Sequence, residues 1–376
     1  PSVVIFPALW AVAATRGAIP GETAAAAYAA GFEAIARLGE AFNPRHYDRG
    51  WHGTGTLGAV GAAAAAARLI GLDQARFAHA LSLALSQAGG LVAQFGSAAK
   101  PAQAGFAARA GVVAALMAEQ GVEGRAEALD APNGYAALVA GVDPERLDRA
   151  IARLDGRALA DWGVAVKPYP CCGYLHRLVA CAERLAGAAR PEAIAAIRAE
   201  LPDAHRGILI HDRPRTASEA RFSLPFAVAA ALIDGGLALE RFAPAGIEDP
   251  AVRALMAKIE IAPQPRRRPE LNSDPEQPDR LRIVLVSGEI LEAEQGATPG
   301  SLDAPLGRAA IEAKFRAQAG GVAGADWSAL SAWDRAADFA AAFAPFGAAR
   351  RDAAGRADPT GQGQTGGAAA AFVDAR

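Results

Sequence analysis

What the chain has little of narrows its chemistry first. Its three cysteines, Cys171, Cys172 and Cys181, cannot make a disulfide framework in 376 residues, and an adjacent pair has no zinc-ligand spacing. No metal site is expected, and a reducing, cytoplasmic compartment fits this usage. Excess charge is missing too: 38 Lys and Arg stand against 40 Asp and Glu, with six scattered histidines. No basic face points to nucleic acid and no acidic tail to a solvating role, which leaves small charged metabolites open. The apolar stretches are Ala-rich and broken by Arg, Gln or Gly before they reach the length of a membrane span, so no membrane partner is expected. The opening PSVVIFPALWAVAATRG has neither a basic n-region nor an initiator Met, and reads as an internal starting point rather than a signal peptide.

At 52% hydrophobic and 21% charged, the composition suits a globular protein of two or three domains. From Val3 to Gly121 apolar residues recur at three and four, with Gly or Pro at each end, which predicts helix after helix. The surplus of Ala and Gly lets these helices approach closely, with Gly105 and Gly111 as expected contact points. Around residue 160 the texture changes. WGVAVK reads as a short strand, KPYP as a Pro-bracketed turn, and the run that follows as a helix starting near Cys172. AIAAIRAELP, RGILIH, AKIEIAP and RLRIVLVSGEILEAE read as strands, with a helix in FSLPFAVAAALIDGG, so Val164 to Glu294 is an α+β segment. PQPRRRPELNSDPEQPDR is an irregular excursion between two of those strands. The helical pattern returns from Gly300, and after Arg350 the chain is low-complexity and expected to be disordered.

The chemistry gathers around GWHGTGTLG, Gly50 to Gly58, which places His52, Thr54 and Thr56 directly before a helix beginning near Leu57. Free N–H groups and a positive dipole end would face an anion there. The same stretch spells G-x-G-x-x-G, with Asp73 at a tolerable distance for a ribose-binding acid. The context fails, because FNPRHYDRGWH is no buried strand and Asp73 reads as the N-cap of the next helix. Lys100 at a helix start opposes the dipole; it is either a solvated surface lysine or a cation held near the His52 loop. Lys167, between a strand end and two prolines, presents an ammonium group rigidly. Cys172 and His176 are four apart and on a helix would share a face; core packing and a Cys/His pair both stay open.

GWHGTGTLGAVGAAAAAARLIGLD, GSAAKPAQAGFAARAG, KPYPCCGYLH and EARFSLPFAVAAALIDG occur in the order and texture of the MmgE/PrpD family, which the chain resembles over roughly residues 1 to 320. That family includes 2-methylcitrate dehydratase, cis-aconitate decarboxylase and iminodisuccinate epimerase. The resemblance implies a mainly α fold, with a large all-helical domain, a smaller α/β lid and an active-site cleft between them. Here that gives a helical domain at 1–164, a lid at 165–296, a return to the helical domain at 297–350 and a tail at 351–376. It also implies no metal or organic cofactor, a small carboxylate substrate and a homodimer. Carried over, His52, Lys100 and Lys167 are the catalytic residues lining the cleft. Thr54 and Thr56 would hold a substrate carboxylate, Cys172 stands where some relatives have histidine, and His176 matches a histidine many members carry.

The activity this implies is a lyase reaction on a citrate-like di- or tricarboxylate. Dehydration of the 2-methylcitrate type, in propionate metabolism, comes first; epimerisation and decarboxylation are the alternatives. Relatives carry further helices and an Asp/His motif ahead of the segment that begins at Pro1, with the family histidine immediately before it. A truncated, non-catalytic homologue is therefore the rival expectation.

Overall fold

The structure, a computed structural model, describes residues 1–271, 273–319 and 321–346. The expected tail at 351–376 lies outside the described residues.

Five long helices open the chain: α1 (Ser2–Ala13), α2 (Gly21–Phe42), α3 (Leu57–Ile70), α4 (Gln74–Leu85) and α5 (Ala99–Glu119). The Ala-rich α3 is the hub on which the other four pack. Ala59 and Ala62 to Ala67 have essentially no exposed surface. Side chains no larger than a methyl let the neighbours close in. A Cβ on Gly111 would lie 2.4 Å from the Ala63 nitrogen, so α5 meets α3 backbone to backbone. Gly105 has nothing within 4 Å, and the contact expected there is not made. The Asp73 carboxylate accepts from the Arg76 N–H at 2.9 Å and caps α4, and the residues before the glycine-rich loop, Arg45–Asp48, form a helical turn. Neither feature belongs to a dinucleotide fold.

The second part contains α6 (His176–Leu185), β1 (Ile194–Pro202), α7 (Leu224–Asp234), α8 (Pro250–Met256), β2 (Ile259–Gln264), β3 (Asp279–Leu285) and β4 (Ile290–Gln295). The sheet order is β2-β1-β3-β4, with β1 parallel to β2 and the other pairs antiparallel. Ile197 pairs with Ile259 and Ile283, and Ala199 with Ile261 and Leu281. The period of two sends one face onto α6 and gives the other to charge. There Arg198 pairs with Glu200 at 3.1 Å and with Glu260, and Arg280 with Glu294 at 3.0 Å.

Two expected strands are not strands. WGVAVK starts at the end of a short helix, Ala158–Trp162, and continues with no ladder partner among the described residues, tied by the Val166 N–H to the Gly300 carbonyl at 2.8 Å. RGILIH starts at the end of a helical turn, Asp203–Arg206, and continues outside the sheet with Leu209 buried and Ile210 61% exposed. A short apolar run carries the same signal whether it pairs or only plugs a core.

Apolar residues between 169 and 293 form one core; those of 4–159, joined by 333–343, form the others. After α9 (Arg308–Ala319) the chain returns to α1 and α2 through an aromatic cluster, Phe6 meeting Trp333 edge-on at 5.0 Å and Phe339 fully buried. The fold is mainly α with a small mixed sheet. Among the described residues no helix is long and apolar enough to cross a membrane.

Candidate active site

A cavity of about 880 Å³ lies where the two parts meet, walled by 43–54 and 92–101 on the helical side and by 167–174, 204–222 and Arg266 on the sheet side. The loop that carries His52 is clamped from behind. Its His52 N–H donates to the Gly90 carbonyl at 3.0 Å, and the Val92 N–H returns to Gly50 at 2.8 Å. Gly55 permits this approach, because a Cβ there would lie 2.3 Å from the Gly89 oxygen. The G-x-G-x-x-G spacing thus serves backbone packing.

His52 is only 7% exposed, and its Nδ1 lies 2.5 Å from Gln103 Oε1. Gln103 Nε2 donates to the Leu91 carbonyl at 3.1 Å, which fixes the amide so that Oε1 must accept. The proton of the neutral ring therefore sits on Nδ1, and the lone pair on Nε2, which has no protein partner among the described residues. Burial lowers the His52 pKa below the ordinary histidine value; the Gln103 bond opposes this and the Lys100 charge adds to it. The ring is a neutral base.

Thr54 is on the cavity wall, but Thr56 is not. Thr56 is fully buried, its Oγ1 2.9 Å from His46 Nε2 and donating to the His52 carbonyl at 3.2 Å, so it braces the loop. The start of α3 is likewise used internally: the Gly58 N–H goes to Gly53 at 3.1 Å and the Ala59 N–H to Thr56 at 3.2 Å. The helix N-terminus expected to hold a carboxylate is thus behind the wall.

Lys100, half-buried on the first turn of α5, holds its ammonium 5.4 Å from the Phe95 ring centre and 5.9 Å from that of Phe222. The surface reading gives way to this placement. Burial first, and the Lys167 charge second, lower its pKa. Lys167 donates to the Cys171 carbonyl at 3.3 Å, and its own carbonyl accepts from Lys314 Nζ at 2.6 Å. Lys314, on α9, was not foreseen.

Cys172 also lines the cavity, as a thiol whose pKa burial raises. It does not share a helix face with His176. Cys172 is still extended, a 3₁₀ turn at Gly173–Leu175 intervenes, and α6 begins at His176 itself. His176 is 1% exposed behind the wall, edge-on to Tyr169 at 5.2 Å, and its pKa falls to about 4 through burial and then Lys167.

Sequence reasoning missed Gln103, Tyr174, His205, Arg221 and Arg266. Tyr174 stacks on His205 at 4.0 Å, and both line the cavity. Gln103 had a signal, since three residues after Lys100 it shares that lysine's helix face. Arg221 lay unremarked in EARFSLPF. Four cations, Lys100, Lys167, Arg221 and Arg266, thus face the cavity against one carboxylate, Asp48. Such a wall suits a polyanion. Among the described residues no group of three His, Cys, Asp or Glu side chains is placed to hold a metal ion.

Fold and cavity together define a mainly helical protein of two parts built around a cation-lined cavity that holds a neutral histidine. The comparisons narrow this class. The MmgE/PrpD N-terminal domain matches residues 1–147 and the MmgE/PrpD C-terminal domain residues 169–334, and the chain belongs to the MmgE/PrpD family. It is 29% identical over 348 residues to a cis-aconitate decarboxylase of Homo sapiens, covering 89% of this chain and 69% of that protein. A Mus musculus protein of the same name is 28% identical, covering 85% and 66%, and one from Aspergillus terreus is 28% identical, covering 85% and 69%.

Proposed function

We propose that the chain is a lyase acting on a citrate-like di- or tricarboxylate through acid–base chemistry of its own side chains. The observation that carries this is the pairing of four wall cations with a neutral histidine whose Nε2 has no protein partner among the described residues. In a dehydration of the 2-methylcitrate type, His52 Nε2 takes the proton from the carbon beside a carboxylate. The electron pair moves into that carboxylate, where Lys100 and Lys167 stabilise the enediolate-like charge. The pair then expels the hydroxyl group on the neighbouring carbon, which leaves as water with a proton from Lys100. The lowered pKa of Lys100 suits that donation.

The names of the relatives favour a second reading, decarboxylation of a cis-aconitate-like acid. There a carboxylate leaves as carbon dioxide, its electron pair enters the conjugated system, and a proton is delivered to carbon. Thr54 and Cys172 contact substrate in either case. We read residues 1–164 with the described residues of 297–350 as one domain and 165–296 as the lid closing over the cleft, a division supported by the separate cores. The family resemblance adds a homodimer, which light scattering on the purified chain tests.

Incubation with 2-methylcitrate, citrate and cis-aconitate, followed by ultraviolet absorbance and proton NMR, tests the proposal. Rising absorbance of a conjugated acid from the first two means dehydration; loss of cis-aconitate with a carbon-dioxide-lacking product means decarboxylation. Silence with all three from a folded protein would overturn the lyase reading for these acids.

A further inference from the structure

Among the described residues, every other buried or half-buried arginine gives N–H bonds to a carboxylate or carbonyl: Arg37 to Glu33 at 2.8 Å, Arg241 to Asp249 at 2.6 Å and Arg253 to Glu248 at 2.7 Å are examples. Half-buried Arg221 gives none. Its surroundings hold it in place all the same. It directly follows the helical turn Ala217–Ala220, and its carbonyl accepts the Cys172 N–H at 2.9 Å, which ties it to the turn presenting Lys167. Its guanidinium carbon lies 5.6 Å from the ring centre of Phe242, a core aromatic 3% exposed. Stacking of this kind restrains the plane of the group and leaves the N–H donors at its edge free. Those donors belong to a residue of the cavity wall.

A half-buried guanidinium on the cavity wall whose donors no protein acceptor fills is open to a ligand, and an oxyanion supplies what the protein omits. We infer that Arg221 is a carboxylate-recognition residue, binding through its planar fork a substrate carboxylate other than the one beside the reacting carbon. The inference rests on the polycarboxylate reading of the cavity and deepens it. Lys100 and Lys167, as point charges, stabilise charge that develops in the reaction. Arg221 fixes orientation and requires at least two carboxylates of its substrate. It is a specificity residue of the sheet-side wall.

The test uses the whole chain and the unreactive tricarboxylate tricarballylate, with calorimetric binding and thermal melting of wild type, Arg221→Gln and Arg221→Lys. Loss of a bidentate charge-assisted contact should weaken binding by about 30-fold in Arg221→Gln, with Arg221→Lys in between because it keeps charge without the fork. The ligand-free melting temperature of Arg221→Gln should change by no more than a few degrees, since no internal hydrogen bond is lost and only the Phe242 stack goes. A structural role would lower it by more. Equal affinity of wild type and Arg221→Gln would overturn the inference while leaving the polycarboxylate reading intact. Absence of binding by wild type would instead remove that reading, and the inference with it.

Discussion

On the helical wall of the cavity His52 has its Nδ1 bonded to Gln103, a Gln103 itself fixed by Leu91, and only Nε2 left open. Among the described residues Arg221 on the sheet wall has no acceptor, and Arg266 bonds the Pro269 carbonyl at 3.1 Å. The first wall carries a settled hydrogen-bond chain ending in one neutral base, with the Lys100 ammonium beside it. The second is a set of cations with unused donors. Under the proposed function the difference is a division of labour: His52 and Lys100 on the side of the small-residue helices move protons, and Lys167, Arg221 and Arg266 on the side of the sheet hold carboxylates. Close packing around α3 holds the first geometry rigidly, because Ala and Gly leave the backbones nothing to slide on.

The largest expected effect breaks the helical wall. His52→Ala should lower kcat by about 10³-fold with the circular dichroism spectrum unchanged, as removal of a positioned general base does. A near-normal rate in that variant would end the division of labour. On the opposite side, Lys167→Ala should lower kcat by about 10²-fold, the scale of one lost electrostatic stabiliser. A rise in KM at constant kcat would show instead that Lys167 only binds.

Gln103 sharpens the comparison through pH. The lowered His52 pKa places the acidic limb of kcat/KM below the ordinary histidine value of 6.5, because the base is lost only when the ring protonates. Gln103→Glu puts a negative charge on Nδ1–H, favours the imidazolium and should move that limb upward. A limb that stays put would separate Gln103 from the base. A smaller effect concerns stability. His176, buried and neutral, has a folded pKa of about 4 against 6.5 unfolded, so its contribution is complete above about pH 6.5 and is lost as pH falls toward 4. The loss is at most about 3 kcal/mol, and denaturant titrations should show His176→Leu losing less over that window than wild type.

Much of the fold was legible because its signals are long. The Ala run of α3 repeats its period over several turns, the Asp73 cap sits directly before its helix, and the alternating strand β1 runs for nine residues. RGILIH and WGVAVK are single short runs, and only tertiary pairing decides what they become. The cavity collects His52, Thr54, Lys100, Lys167 and Cys172 from distant parts of the chain. Thr56 and His176 went behind the wall for local reasons. Between Thr54 and Thr56 the loop turns back on itself, with the Gly55 N–H bonded to the His52 carbonyl at 2.8 Å, so two threonines in one motif face opposite ways. The start of α6 at His176, four residues after Cys172, separates that pair. Arg221 was unreadable in principle: its distinction is the absence of a partner, which no sequence displays.

The most direct test of the account is a hydrogen-exchange measurement on the substrate. Wild type and His52→Gln are each incubated in D₂O with citrate or 2-methylcitrate, and proton NMR follows the carbon beside the carboxylate. The account expects deuterium to enter that position, or the proton to be lost to product, with wild type, and at a rate at least about 10²-fold lower with His52→Gln. Exchange at equal rates in both would contradict it and move the base elsewhere in the cavity.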